Sequence, residues 1–216
     1  MKLNIVFLGP PGSGKGTYAS RIAPKFGIPH IAVGDIFRKA ISEEIPMGIE
    51  AKKYYDEGKM VPNEISAGII IERLSQKDCE NGFILDSPYD SQQAEKIDEK
   101  IKINVVINLD ISEEGVIQRL STRRVCRKCG AIYNIRTVKP KVEGVCDKCG
   151  GELYQRKDDS PEAIRKRLGV YEERSGPLLE YYKERGVLIN IDTKDPHLPP
   201  EVTVEKIMEE LKKFQS

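Results

Sequence analysis

Short unbroken apolar runs alternate along this chain with longer stretches in which apolar residues recur every three or four positions. Ile5-Val-Phe-Leu8, Ile28 to Val33, Gly82-Phe-Ile-Leu-Asp86, Asn104 to Leu109 and Val187 to Ile191 are the unbroken runs. Each has strand length, and an apolar run without alternation signals a strand covered on both faces. Between them the spacing predicts helices over Tyr18–Phe26, Gly34 to about Glu43, Met47–Glu57, Asn63–Gln76, Ser91–Lys100, Glu113–Arg123 and Glu201–Phe214. Asp35 reads as the N-cap of the second of these, with Arg38 in its first turn. Ile65, Ile69, Ile70 and Leu74 form the apolar stripe of the fourth. Gly58-Lys-Met-Val61 and Ser87-Pro-Tyr-Asp90 read as turns. Repeated strand–helix units of this kind make a doubly wound α/β fold, a parallel five-stranded sheet flanked by helices. Ligands of such folds sit at the carboxyl ends of the strands, where Asp86 and Asp110 fall.

The 216 residues hold one sizeable core and a small insert. A net charge of +1 and 6% aromatics argue against a nucleic-acid or membrane surface. No apolar run approaches the ~18 residues of a membrane helix. The segment from Met1 to Gly9 is too short for a secretory signal. A cytoplasmic location is therefore expected, and there cysteines more often bind metal than pair.

Gly9-Pro-Pro-Gly-Ser-Gly-Lys-Gly-Thr17 joins the first strand to the first helix. Glycines let backbone N–H groups turn inward toward phosphate oxygens, and the helix N-terminus adds positive potential. Lys15 supplies an ammonium for the β- and γ-phosphates. The pattern departs from the usual phosphate loop in one place: Gly16 stands where a hydroxyl is expected, and the hydroxyl follows on Thr17. A phosphorylated nucleotide is the expected ligand.

Composition changes between Val125 and Asp159. Cys126-Arg-Lys-Cys129 and Cys146-Asp-Lys-Cys149 are two CxxC knuckles separated by sixteen residues, each followed by glycine. Four thiolates at this spacing suit a closed tetrahedral zinc site, with two disulfides or a redox pair as the alternatives. The residues between, including Ile132-Tyr133, suggest short β-hairpins. Such an insert is too small for a core, so metal binding would supply its folding energy. Cys79 stands alone among charged residues and reads as a bystander.

Arginines cluster where the insert joins the core: Arg119 and Arg123 before it, Arg156 at its end, Arg165 and Arg167 beyond. Ser160-Pro161 is a helix start, with serine as N-cap. Arg165 and Arg167 then point about 200° apart, so at most one faces a given ligand. A small flap that lowers guanidinium groups onto phosphates would exclude water and complete a phosphoryl-transfer site.

Taken together, the phosphate loop, Gly34-Asp35 with Arg38, Gly58-Lys-Met-Val61, Gly82 to Asp86, Gln93, Arg119, Arg123-Arg124, both CxxC pairs and Arg156-Lys-Asp-Asp159 with Arg165 and Arg167 resemble an adenylate kinase of the long form with a zinc-bearing lid. The resemblance spans almost the whole chain. It implies a phosphate-loop core (1–31, 62–121 and 160–216), a monophosphate-binding segment (32–61) and a zinc lid (122–159). It implies the Mg²⁺-dependent reaction ATP + AMP ⇌ 2 ADP in a cytoplasmic monomer. Gly12, Ser13, Gly14, Lys15, Gly16 and Thr17 would hold the donor phosphates, and Arg119, with Ile132 and Tyr133, the donor adenine. Lys15, Arg123, Arg156 and Arg167 would act on the transferring phosphoryl, with Asp86 on the Mg²⁺ water shell and Asp158 and Asp159 latching the lid. Val33, Arg38, Lys59, Met60, Val61 and Gln93 would hold AMP, helped by Arg156 and Arg167. Cys126, Cys129, Cys146 and Cys149 would bind zinc.

Two departures bear on the acceptor. The family usually follows the strand carboxylate with Gly-Phe-Pro-Arg, whose arginine holds the acceptor phosphate. Here Ser87-Pro88-Tyr89-Asp90 is one residue shorter and carries no arginine, which leaves Arg38 more of that phosphate. Val33 replaces the usual threonine near the acceptor base, while Gln93 still favours adenine. CMP, UMP or GMP is therefore the alternative acceptor. A zinc-ribbon nucleic-acid module on a nucleotide switch is a further alternative, and it lacks the basic, aromatic surface it would need.

Overall fold

The computed structural model describes residues 2–56, 61–86, 90–156, 159–195 and 198–214. The chain begins β1 (Leu3–Leu8), α1 (Lys15–Phe26), β2 (His30–Ala32), α2 (Val33–Ser42), α3 (Pro46–Asp56) and α4 (Asn63–Leu74). It continues β3 (Gly82–Asp86), α5 (Ser91–Asp98), β4 (Val105–Asp110) and α6 (Glu113–Ser121). The insert contributes β5 (Arg123–Cys126), β6 (Ile132–Asn134) and β7 (Leu153–Tyr154), after which come α7 (Pro161–Glu184), β8 (Leu188–Asp192) and α8 (Pro200–Lys212). The order β2-β3-β1-β4-β8 forms one sheet, and its paired strands are all parallel. The doubly wound five-stranded expectation holds.

Alternate residues of the central strands explain their unbroken apolar character. Leu3, Ile5 and Phe7 of β1, with Ile84, Val105 and Ile107, join Tyr18 and Ile22 of α1 and Val204, Ile207 and Leu211 of α8. Val6 and Leu8, with Phe83, Leu85 and Val106, join Ile69, Ile70 and Leu74 of α4, Ala94 and Ile97 of α5 and Tyr182 of α7. Each strand thus serves two separate apolar layers, and a polar residue on either face would lose solvation without a partner. The insert forms its own antiparallel sheet, β6-β5-β7, over a small cluster of Cys126, Tyr133, Cys146 and Leu153. No helix among the described residues is long and apolar enough to cross a membrane.

Several expected boundaries move for local reasons. The first helix starts at Lys15 rather than Tyr18, because Gly14 takes a left-handed φ of 100° and turns the loop straight into helix. Asp35 is not an N-cap. β2 passes into α2 without a loop, Ala32 holds the cap position in extended geometry, and Asp35 lies inside the first turn. Arg38 consequently falls in the second turn. The helix expected to reach Arg123 stops at Ser121: Thr122 Oγ1 donates back to the Gln118 carbonyl at 2.7 Å, and Asn134 Nδ2 donates to Thr122 Oγ1 at 2.7 Å. Arg123 instead opens β5. Cys79 lies apart from the other four cysteines as a fully buried core residue, with Arg73 Nη1 donating to its sulfur at 3.3 Å. The expected turn at Gly58–Met60 and the Ser87–Tyr89 loop lie outside the described residues, as do Lys59, Met60 and Asp158.

Gly82 opens β3 at φ +117°, and a Cβ there would stand 2.3 Å from the Leu3 carbonyl oxygen of the neighbouring strand. Gly82→Ala should cost roughly 2 kcal/mol or more, a fall of about 4–8 °C in Tm by thermal melt. Gly186→Ala, also at positive φ (+67°) but in open space, should lose less.

Candidate active site

The site is assembled at the carboxyl ends of β1, β3 and β4. Gly9, Gly12 and Gly14 all take positive φ (138°, 83° and 100°), the backbone twist that points consecutive N–H groups into one concavity. A Cβ on Gly12 would lie 2.7 Å from Leu120, and one on Gly14 2.7 Å from Tyr18, so side chains are excluded by packing as well as by φ. α1 has no acidic residue in its first turn and no side-chain cap, which leaves its N-terminal amides to an anion. Lys15 Nζ lies across the loop, donating to the carbonyls of Gly9 at 2.7 Å and Pro10 at 3.1 Å.

The charges around this loop are tightly grouped. Burial pushes the Lys15 ammonium below its usual range, opposed by Asp86 and reinforced by Arg167 and Arg123. Burial raises the Asp86 carboxyl, which Lys15 and His30 pull back down. A Cβ placed on Gly16 would meet Ile132 Cδ1 of the lid at 3.6 Å, Asp86 Oδ2 at 3.8 Å and His30 Cε1 at 3.9 Å. Ile132 therefore stands over the phosphate loop, close to Asp86 and His30.

Asp159 organises the arginines. Its carboxylate is fully buried and accepts from Arg123 Nε at 2.9 Å and Nη2 at 2.5 Å, a two-pronged pair across the lid root. Arg167 Nη1, on the second turn of α7, lies 3.8 Å from the same carboxylate. Ser160 caps α7 by accepting from Ala163 N–H, as the sequence indicates, and Arg165 points away into solvent. Arg119 is a brace: Nη1 donates to the Ser13 carbonyl at 2.9 Å, and Nη2 to the carbonyls of Thr193 at 3.1 Å and Asp195 at 3.3 Å. Sequence reading did not foresee that anchorage, since backbone acceptors leave no residue signature.

The expected acceptor residues are less concentrated. Val33 is buried at the start of α2 and Gln93 is buried on α5, while Val61 is half-buried before α4. Arg38 is largely exposed and pairs with Asp35 one turn before it on α2. Arg156 is half-buried at the end of the insert. Tyr133 differs from expectation: its ring is buried inside the lid, where its hydroxyl contacts Cys146 Sγ at 3.5 Å and accepts from Asp147 N–H at 2.8 Å. That side chain has no free face for a nucleotide.

The four insert cysteines carry no disulfide, and their sulfurs lie within 4.8 Å of one another. Cys126 and Cys149 sulfurs are 3.5 Å apart, Cys129 and Cys146 3.6 Å. A tetrahedral zinc with Zn–S bonds of about 2.3 Å needs sulfurs about 3.8 Å apart, so the cluster is compatible with that ion. The hydrogen bond from Tyr133 brings the Cys146 thiol down to about 6, which favours the thiolate a metal requires.

A parallel sheet ending in a phosphate loop, a half-buried strand-end carboxylate and a lid root studded with arginines define a P-loop phosphotransferase acting on nucleotides. The comparisons with known proteins agree on the family. The family model described as adenylate kinase matches residues 7–187. An adenylate kinase of Archaeoglobus fulgidus is 49% identical over 200 residues, 89% of this chain and 92% of that protein. Adenylate kinases of Clostridium tetani (49%) and Carboxydothermus hydrogenoformans (50%) match over 196 residues, 88% of this chain and 91% and 92% of theirs. The chain belongs to the adenylate kinase family, one group of the nucleoside monophosphate kinases.

His30 gives the site a pH dependence. Burial holds its imidazole below the usual value against the upward pull of Asp86 and Asp35, so the folded state keeps it neutral. Below about pH 6.5 the unfolded chain takes up a proton that the folded chain resists, and stability is lost as pH falls. His30→Gln should flatten the decline in denaturation midpoint between about pH 7.5 and 5; an equally steep decline in the variant would refute this origin.

Proposed function

We propose that this chain catalyses reversible transfer of the γ-phosphoryl group of ATP to AMP, giving two ADP. The observation that carries the reading is the convergence of Lys15, Asp86, Arg123 and Arg167 at the mouth of one phosphate loop, beneath lid residue Ile132. The names of the relatives support AMP as the acceptor, and no observation favours CMP, UMP or GMP.

In this reading the Gly12–Thr17 amides and Lys15 hold the donor phosphates. A desolvated ammonium is poorly stabilised alone, so an arriving phosphate improves its environment more than water does, and donor binding is strengthened. Asp86 would hold the water shell of the Mg²⁺ that accompanies ATP, an ion that would supply charge neutralisation to the phosphates. The attacking oxygen belongs to an acceptor phosphate that is already ionised near neutral pH, so no side chain need remove a proton. Arg123, Arg156 and Arg167 contribute positive charge to the oxygens of the moving group, while Asp159 fixes the direction of Arg123 and lies 3.8 Å from Arg167. Arg119 and Ile132 flank the donor adenine; the Tyr133 side chain belongs to the lid interior. Val33, Arg38, Lys59 to Val61 and Gln93 line the acceptor side.

The core (1–31, 62–121 and 160–216), acceptor segment (32–61) and lid (122–159) act as three parts. The lid's metal is a structural zinc on Cys126, Cys129, Cys146 and Cys149, closed to substrate because all four positions are thiolates. Both nucleotides meet within one chain, so a cytoplasmic monomer suffices, without nucleic acid or membrane as partner.

A coupled assay of ATP with AMP, CMP, UMP and GMP should show the highest kcat/KM for AMP; a higher value for any other monophosphate would overturn the assignment of the acceptor. Metal analysis should find one zinc per chain, and a strong chelator should lower Tm and expose the insert to protease while leaving the core folded. A stoichiometry near zero in protein purified without chelator would count against the zinc.

A further inference from the structure

The sequence between β3 and Asp90 carries no arginine, and the fold brings one against Asp90 from another element. α7 starts at the lid root and packs against α5, α6 and β8 on its way to the start of β8. Arg167 faces Asp159 and contributes to the field at Lys15. Arg174 lies about two turns further along α7, roughly 10 Å on, and within about 20° of the same helix face. Its Nη1 stands 4.0 Å from Oδ2 of Asp90. Asp90 is the first described residue after β3, and its other oxygen caps α5 by accepting from Gln93 N–H at 2.9 Å. The Arg174 guanidinium is thereby held beside the carboxyl end of β3, next to the helix that carries Gln93.

We infer that Arg174 binds the phosphate of the acceptor nucleotide, taking from α7 the role that the β3 loop leaves unfilled. The inference rests on the acceptor reading above. Its contact with Asp90 is a single long pair between side chains about one-third and one-quarter exposed (33% and 23%), a class of interaction that contributes little to stability. Neighbouring guanidiniums are more firmly engaged. Arg123 is gripped by Asp159, Arg119 by three backbone carbonyls, and Arg185 by Asp98 and the Tyr181 ring. A phosphate dianion offers more charge than one carboxylate and a matching pair of oxygens, so it draws Arg174 away from Asp90.

The test is steady-state kinetics on the full chain with Arg174→Ala and Arg174→Lys, varying AMP and ATP separately. Losing a charge-assisted contact should raise KM for AMP about tenfold or more in Arg174→Ala, with KM for ATP and Tm nearly unchanged. Arg174→Lys, which keeps the charge without the fork, should recover part of that loss. An unchanged KM for AMP in Arg174→Ala would overturn the inference while leaving the acceptor reading intact. A joint rise in both KM values with a fall in Tm, not relieved by lysine, would mark Arg174 as structural and overturn it equally. If the unmodified protein makes no ADP from ATP and AMP, the acceptor reading itself fails, and this inference with it.

Discussion

Lys15 must keep an ammonium in a position where burial opposes it, and the arrangement of the whole catalytic face follows from that constraint. The lysine can sit there only because β1 ends in a loop whose glycines leave room and whose carbonyls accept from Nζ. Asp86 offsets part of the burial from the end of β3, one strand away. Arg123 and Arg167 work in the opposite direction, adding positive charge to a site already short of counter-charge. The result is a concavity with surplus positive potential and poor solvation, whose most favourable occupant is a chain of phosphates.

Asp159 determines whether those arginines act together. A buried carboxylate with no bound cation would be strongly destabilised, so its two-pronged pair with Arg123 fixes the root of the lid relative to α7. Arg167, at longer range, completes the grouping without being locked by it. The lid itself cannot supply comparable order from packing, since its cluster holds only Cys126, Tyr133, Cys146 and Leu153 with a few half-buried neighbours. Four sulfurs within tetrahedral reach, one of them turned toward thiolate by Tyr133, provide the alternative.

Much of this was legible from residue order. The strands could be read because each serves two apolar layers and therefore shows no alternation, and the phosphate loop because glycine and lysine spacing has one steric meaning. The cysteine knuckles were equally plain. What escaped were features set by partners distant in sequence. Asp35 looks like an N-cap, but β2 runs directly into α2 and removes the cap position. Arg123 continues a helical pattern, but pairing with Asn134 across the insert recruits it to a strand. Tyr133 sits beside an exposed residue and reads as available, whereas the sulfur of Cys146 holds its hydroxyl inside. Cys79 lies among charges in sequence and among apolar side chains in space. The role of Asp159 as the common partner of two arginines had one possible signal, the carboxylates Asp158-Asp159 directly before a helix start. Only the structure shows that Asp159 is buried between the two guanidiniums.

α7 gives these observations a mechanical connection. Its capped first turn is anchored at Ser160, next to Asp159, and its body lies against α5 and α6. A helix is stiff over two turns, so Arg167 and Arg174 keep a fixed separation wherever the lid root moves. If the first meets the moving phosphoryl and the second the acceptor phosphate, the helix holds the two anions at a set spacing, and neither can be gripped fully until both are in place. A loop arginine on β3 would position the acceptor relative to the sheet; an arginine on α7 positions it relative to Arg167 on the same helix. In the proposed reaction, closing of the insert over the phosphate loop would exclude water from the group in transit and so suppress its hydrolysis.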